Sequence, residues 1–261
     1  MKRNLCFALL TLSLVAGTSQ ASGFVNGGFE TGDASGWTVG AGYRGGTTNS
    51  LLTPDQILPG GSLFDSSLSH SQIISAGTLD PNLGALLGST VNSGNFSYRV
   101  EDTINGGYAS VISQKVTNYT DSTIGFAWKA VLENGGHIPD ESAAMIITLT
   151  DNTTGTLLIS RLYNAGATGT GVDSRFAQEG DLYYTPTWQN ESLSISASLS
   201  GHDFTLSVLG ADCLPTGHTG YVYLDGFGTA VSAVPESSTY AMLLGGLGLV
   251  GCIARRRKTR D

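Results

Sequence analysis

The chain has 261 residues, with 13 Lys and Arg against 21 Asp and Glu, and only three cysteines. Seven of the basic residues sit at the two ends, so residues 22–233 keep six basic against 19 acidic side chains, a net charge of −13. An anionic body repels phosphate backbones, which argues against a nucleic-acid binder, and this cysteine count gives no disulfide framework. The balance suits solubility, divalent cations and neutral partners such as glycans.

In chain order, Lys2 and Arg3 open a positive region, Leu5 to Ala16 is a short apolar run, and Ser19-Gln20-Ala21 offers small residues to a signal peptidase. Residues 1–21 therefore read as an export signal, and 22–233 as one ectodomain. Asn26-Gly27-Gly28-Phe29-Glu30 follows, then Gly32-Asp33 and Gly36-Trp37-Thr38. Here Phe29 is expected in the core, Glu30 at the rim, and Trp37 as the anchor of the next strand. Residues 40–95, broken by Pro54, Pro59-Gly60-Gly61 and Pro81, read as a long loop.

Short alternating runs then recur between turn signals. Residues 109–116, 123–131 and 144–150 read as strands; Asp151-Asn152-Thr153-Thr154-Gly155 turns, and Thr156 to Ser160 returns as a hairpin partner. A second long loop covers 165–187. Residues 193–197, 204–208 and 221–225 complete the set. Helical periodicity is nearly absent, so the expectation is an all-β sandwich.

Candidate functional residues fall into three groups. Ten tyrosines and three tryptophans sit in a chain with few charges, and sugar rings stack on flat aromatic faces. Tyr183, Tyr184 and Trp188, in or near the second loop, are the candidate ligand platform. The acid pairs Glu101-Asp102, Asp140-Glu141 and Glu179-Gly180-Asp181 lie adjacent in sequence, which does not supply two carboxylates facing each other across a cleft; no catalytic residue is expected. Asp212, Cys213 and His218 lie within one Pro-Gly loop. A closed zinc site needs four ligands and a second pair is missing, so the loop reads as a hairpin whose Asp212 caps amides, with Cys213 buried. His70, His137 and His202 stand isolated in the sequence.

The Asn26 to Thr38 opening resembles the first strand and turn of galactose-binding-like jelly rolls, a group that includes many carbohydrate-binding modules. Tyr221-Val222-Tyr223-Leu224-Asp225-Gly226-Phe227 is similar to their last strand, which lies beside the first, and residues 188–206 to an intervening strand, turn and strand. The resemblance implies a jelly-roll β-sandwich. It also implies a structural calcium ion stapling first strand to last, with Glu30 and Asp225 among the about six to eight oxygen ligands such an ion takes. Exposed strand-end acids are the alternative.

At the far end stand Val234-Pro235-Glu236-Ser237-Ser238, an apolar run to Ile253-Ala254, and Arg255-Arg256-Arg257-Lys258. This order resembles the PEP-CTERM sorting signal of bacterial exosortase substrates, with Ser237 in place of the motif's second proline. It implies a motif at 234–238, a single transmembrane helix at 239–254 and a basic tail at 255–261 kept on the cytoplasmic side. Ser237 to Ala254 spans about 27 Å as a helix, marginal for a hydrocarbon core about 30 Å thick, which suits a temporary anchor. The implied partners are an exosortase-type sorting protease and an extracellular polysaccharide matrix. The expected role is non-catalytic, as a glycan-binding or structural protein at the cell surface. A polysaccharide hydrolase and an adhesin-like protein are the alternatives.

Overall fold

The computed structural model describes residues 23–167 and 169–228. The export signal, and the sorting segment with Val234, Pro235, Glu236, the apolar run and Arg255 to Arg257, lie outside the described residues. Among the described residues no helix is long and apolar enough to cross a membrane.

In chain order the elements are β1 (Thr38–Tyr43), the single turn α1 (Pro54–Ile57), β2 (Gln72–Ser75), β3 (Phe96–Val100), β4 (Tyr108–Tyr119), β5 (Thr123–Glu133), β6 (Ala144–Asp151), β7 (Thr156–Asn164), β8 (Ala177–Glu179), β9 (Leu182–Tyr184), β10 (Gln189–Ser194), β11 (His202–Ala211) and β12 (Gly220–Gly228). They form two antiparallel sheets packed face to face. The five-stranded sheet runs β1-β4-β11-β6-β7. The seven-stranded sheet runs β2-β3-β12-β5-β9-β8, with β10 also pairing along β5. All-β architecture is therefore observed, as the alternating runs require.

Local sequence explains the layers. β5 is buried from Ile124 to Leu132, as a central strand covered on both faces must be, and its residues are accordingly almost all apolar. β6 and β11 alternate instead: Met145, Ile147 and Leu149, with Phe204, Leu206 and Val208, enter the core between the sheets. Trp128, Phe126, Ile112 and Leu224 meet them there. Each such large apolar side chain contributes about 1.5–3 kcal/mol relative to exposure. Phe227 is the hub of one end of this core, stacked on Phe126 at 4.9 Å and against Trp37 at 4.5 Å.

Four readings of the sequence change, and one is residues 193–197, where only Leu193 and Ser194 are strand, at the end of β10, and Ala197 opens a 3-10 turn. Residues 26–30 are turns and not a strand, because Asn26 and Phe29 take φ of 51° and 57°, outside extended backbone. Asn26 Nδ2 holds this turn by donating to the Asp33 carbonyl at 2.8 Å. Phe29 is nonetheless in the core and Glu30 exposed, and Phe227 N–H donates to the Gly27 carbonyl at 2.9 Å, so the segment does lie beside β12. The long loop at 40–95 contains α1, β2 and most of β1. The loop at 165–187 contains β8 and β9.

Candidate functional site

The outward positions of the five-stranded sheet carry hydroxyls in register. Ser160 on β7 faces Thr148 on β6, Thr148 faces Ser207 on β11, Ser207 faces Ser113 on β4, and Ser113 faces Thr38 on β1. One hydroxyl per strand thus crosses all five strands, at a spacing of about 4.8 Å. Thr150 and Thr205 add a second, shorter row. Part of this face is covered by residues 44–65, where Leu52 and Ile57 pack on Val111, Ile146 and Leu209. The rest is an open groove of about 610 Å³, walled on one side by residues 49–55 and on the other by Leu157 and Leu162 of β7. Asp55 is the one charged residue among its lining. Ser113 and Ser207 are buried and hydrogen-bonded to each other at 2.9 Å, so the hydroxyls open to the groove are those of Thr148, Ser160, Thr150 and Thr205, and the leucines offer apolar contact. The face is chemically matched to an extended, neutral, hydroxyl-rich chain.

The structure brings Glu30 and Asp225 together across one loop. Glu30 carboxylate oxygens accept from Asn95 N–H at 2.9 and 3.1 Å and from Phe96 N–H at 3.1 Å. Gly94, with φ of 71°, must be glycine, since a Cβ there would stand 2.3 Å from Glu30 Oε1. Asp225 Oδ2 accepts from Asn92 N–H at 3.0 Å and Ser93 N–H at 2.9 Å. Its Oδ1 is buried without a partner. Burial pushes the Asp225 carboxyl up to about 7, and the charge of Glu30 adds to the rise. Glu30 and Asp225 Oδ2 are thus engaged by the amides of residues 92–96, and Asp225 Oδ1 is the carboxylate oxygen of the pair left without a partner.

Tyr183, Tyr184 and Trp188 do not assemble into one platform. Neighbours on β9 point to opposite faces, so Tyr183 packs against the inter-sheet core while Tyr184 is buried on the outer face of the larger sheet. Trp188 joins Tyr184 there, donating Nε1–H to the Ser89 carbonyl at 3.0 Å. These rings close the roof that residues 76–91 make over that sheet.

The histidines that stand apart in sequence are all partnered in space. His70 Nδ1 lies 2.7 Å from Glu101 Oε1 and 3.1 Å from Asp102 Oδ2, and the Glu101 bond raises the ring's pKa. His202 pairs with Asp151 at 2.9 Å. His137 Nε2 lies 3.2 Å from His218 Nδ1, which is also 3.2 Å from Cys213 Sγ. Asp212 caps amides as expected, accepting from Tyr108 N–H at 3.2 Å and Gly220 N–H at 3.1 Å. Burial, reinforced by the charge of Glu101, pushes Asp212 up to about 9. Arg44 is buried beside it and donates to the Asp212 carbonyl and to Asn49 Oδ1, and burial lowers its own pKa to about 10. The hydroxyl row and the His137 contact are what the sequence reading missed. Alternating Thr148, Thr150 and Thr205, Ser207 was the visible signal for the first; nothing local signals the second.

A family model described as the PEP-CTERM protein-sorting motif matches residues 233–258. No curated protein matches the chain. Among solved structures, the carbohydrate-binding module TmCBM61 in complex with β-1,4-galactotriose is similar over 80% of this chain and 97% of its own, at TM-score 0.43 and 13% identity. A non-crystalline-cellulose-specific carbohydrate-binding module, CBM28, is similar over 78% of this chain and 92% of its own, at TM-score 0.38 and 14% identity. The enzymatically active domain of bacteriophage CBA120 tailspike protein 4 is similar over 79% of this chain and 21% of its own, at TM-score 0.35 and 10% identity. At these identities the likeness is one of fold alone. The chain carries a PEP-CTERM protein-sorting motif behind an all-β, two-sheet sandwich.

Proposed function

We propose that this protein is exported, sorted by an exosortase-type protease to the cell surface, and there holds a neutral polysaccharide, such as the surrounding matrix, without cleaving it. The observation that carries the reading is the uncharged hydroxyl row at the floor of an open groove. The sorting motif at 233–258 supports the destination, and a temporary helix at 239–254 is the anchor in transit. In this reading the sandwich is a jelly roll of the galactose-binding-like kind, and Glu30 and Asp225 hold a structural calcium. The ion would neutralise both carboxylates, give Asp225 Oδ1 a partner and lock residues 92–96 to β12.

The test titrates the full chain, purified in detergent, with a panel of soluble neutral polysaccharides, in calcium and then in chelator, assaying reducing ends in parallel. Saturable binding without release of reducing ends is expected. Chelation should lower stability, by about 2.7 kcal/mol if calcium stood at 100 times its Kd, and Asp225→Asn should abolish that response. Release of reducing ends would make the protein a hydrolase. Folded protein that binds none of the panel would leave an adhesin-like role. An unchanged melting temperature in chelator would remove the calcium site.

A further inference from the structure

The loop between β11 and β12 and the connection from β5 to β6 meet at three side chains whose arrangement their hydrogen bonds do not satisfy. Cys213 and His218 face each other across the base of the first loop, where Cys213 N–H donates to the His218 carbonyl at 3.1 Å. His137 arrives from the second segment, 81 residues from His218 in sequence, with the two rings 5.0 Å apart. The approach is built into the backbone. A Cβ on Gly135 would stand 2.1 Å from the His218 ring, so only glycine lets the ring lie against this turn. His218 Nδ1 is 3.2 Å from both Cys213 Sγ and His137 Nε2. One ring nitrogen carries a single hydrogen or a single lone pair, and here it faces two partners.

We infer that Cys213, His137 and His218 form a binding site for a zinc-class divalent cation. All three ligand atoms lie within 4.8 Å of one another. Ligands about 2.0–2.3 Å from a tetrahedral zinc stand about 3.3–3.5 Å apart, close to the two 3.2 Å separations observed. A cation at their centre takes one electron pair from each and removes the competition for His218 Nδ1. One thiolate and two imidazoles select a borderline metal over calcium or magnesium, which want oxygen. Cys213 is fully buried while both histidines are half-buried, so the site has a dry sulfur wall and an entry path along the imidazoles. The fourth position is left to water or an exogenous ligand. Glu133, the nearby carboxylate, is already engaged by Thr219 N–H at 2.9 Å. The metal would bind Cys213 as the thiolate and pin the β11–β12 loop to the β5–β6 connection. This site is separate from the groove and from the Glu30 and Asp225 pair, and it stands whether or not the groove binds glycan.

The test is a titration of the reduced full chain with Co2+ and then Zn2+, in excess calcium and magnesium so that oxygen sites are filled. One equivalent of Co2+ should produce a thiolate-to-cobalt charge-transfer band and the strong visible absorption of a four-coordinate ion, and Zn2+ should displace it. Cys213→Ser should abolish the charge-transfer band. His137→Ala removes a half-buried side chain outside the core, so the metal-free melting temperature should hold. Its affinity should fall by more than the roughly 10–100-fold typical of losing an outer partner. The proposal is overturned by the absence of a band at one equivalent, or by unchanged affinity in His137→Ala. It is also overturned by a band that survives Cys213→Ser, which would place the ion on Cys6 or Cys252.

Discussion

The outer face of the seven-stranded sheet is roofed by residues 76–91, whereas that of the five-stranded sheet is covered over one part by residues 44–65 and open over the rest. Under the roof lie Tyr221, Tyr223, Tyr184 and Val131, all buried against Leu83 and Leu87 of the roof itself. Asp80 hangs from the roof and accepts from Tyr221 O–H at 2.9 Å and Tyr223 O–H at 2.8 Å, and Lys129 is held by the Leu87 and Ser89 carbonyls. The open face carries serine and threonine instead. Aromatic rings are thus spent on internal closure, and the surface left for a partner is made of hydroxyls and two leucines.

The comparison breaks most visibly at Asp80. Asp80→Ala leaves the buried Tyr223 phenol and Leu83 amide without a partner, at about 1–3 kcal/mol each, and weakens the bonding of Tyr221 and Asn82, so a loss of at least about 3 kcal/mol is expected in urea denaturation. A loss under about 1 kcal/mol would mean that the roof is not integral to the fold. The open face should behave in the opposite way. Thr150→Trp fills the groove and should weaken polysaccharide binding at least about tenfold while moving stability by no more than about 0.5 kcal/mol. Equal binding would clear the groove of any role.

The smallest effect belongs to the rim where the two sheets meet, a cavity of about 210 Å³ lined by β1 residues, Tyr98 and His70. His70 has its pKa raised in the folded state by Glu101. Its stabilisation is therefore fully present below the unfolded value of about 6.5 and is lost as pH rises through the higher folded value. Melting temperature should decline over that window, and His70→Gln should flatten the decline. For this half-buried ring, screened by solvent, the effect should stay under about 1 kcal/mol.

Much of the fold was legible because strand signals are local: β4, β6, β7, β11 and β12 stand over alternating runs, and β5 over an almost wholly apolar one between turns. β2 and β3 were not, because Gln72 to Ser75 and Phe96 to Val100 are too short and too mixed to show a period; β2 is a strand by pairing with β3, and β3 by lying between β2 and β12. Phe29 and Trp37 were legible as core residues, but the left-handed backbone at Asn26 and Phe29 was not. The hydroxyl row depends on register. Thr148 and Ser207 are visibly outward on their own strands, yet only pairing places them side by side. Glu30 and Asp225 were singled out by motif resemblance alone; that both accept amides of residues 92–96 comes from the structure. His137 was illegible, because no pattern within one strand's length connects it to Cys213.

β12 has one more consequence. It is the last described element before the segment that leads to the sorting motif, and it is hydrogen-bonded to β3 along one edge and to β5 along the other. Phe227, near its end, is clamped by Phe126, by Trp37 and by the backbone bond to Gly27. A force applied through the C-terminus therefore enters an interior strand rather than an edge, and it must shear two ladders before the sandwich can unravel. For a protein tethered by that end in flowing water, drag would be borne by a strand paired along both edges.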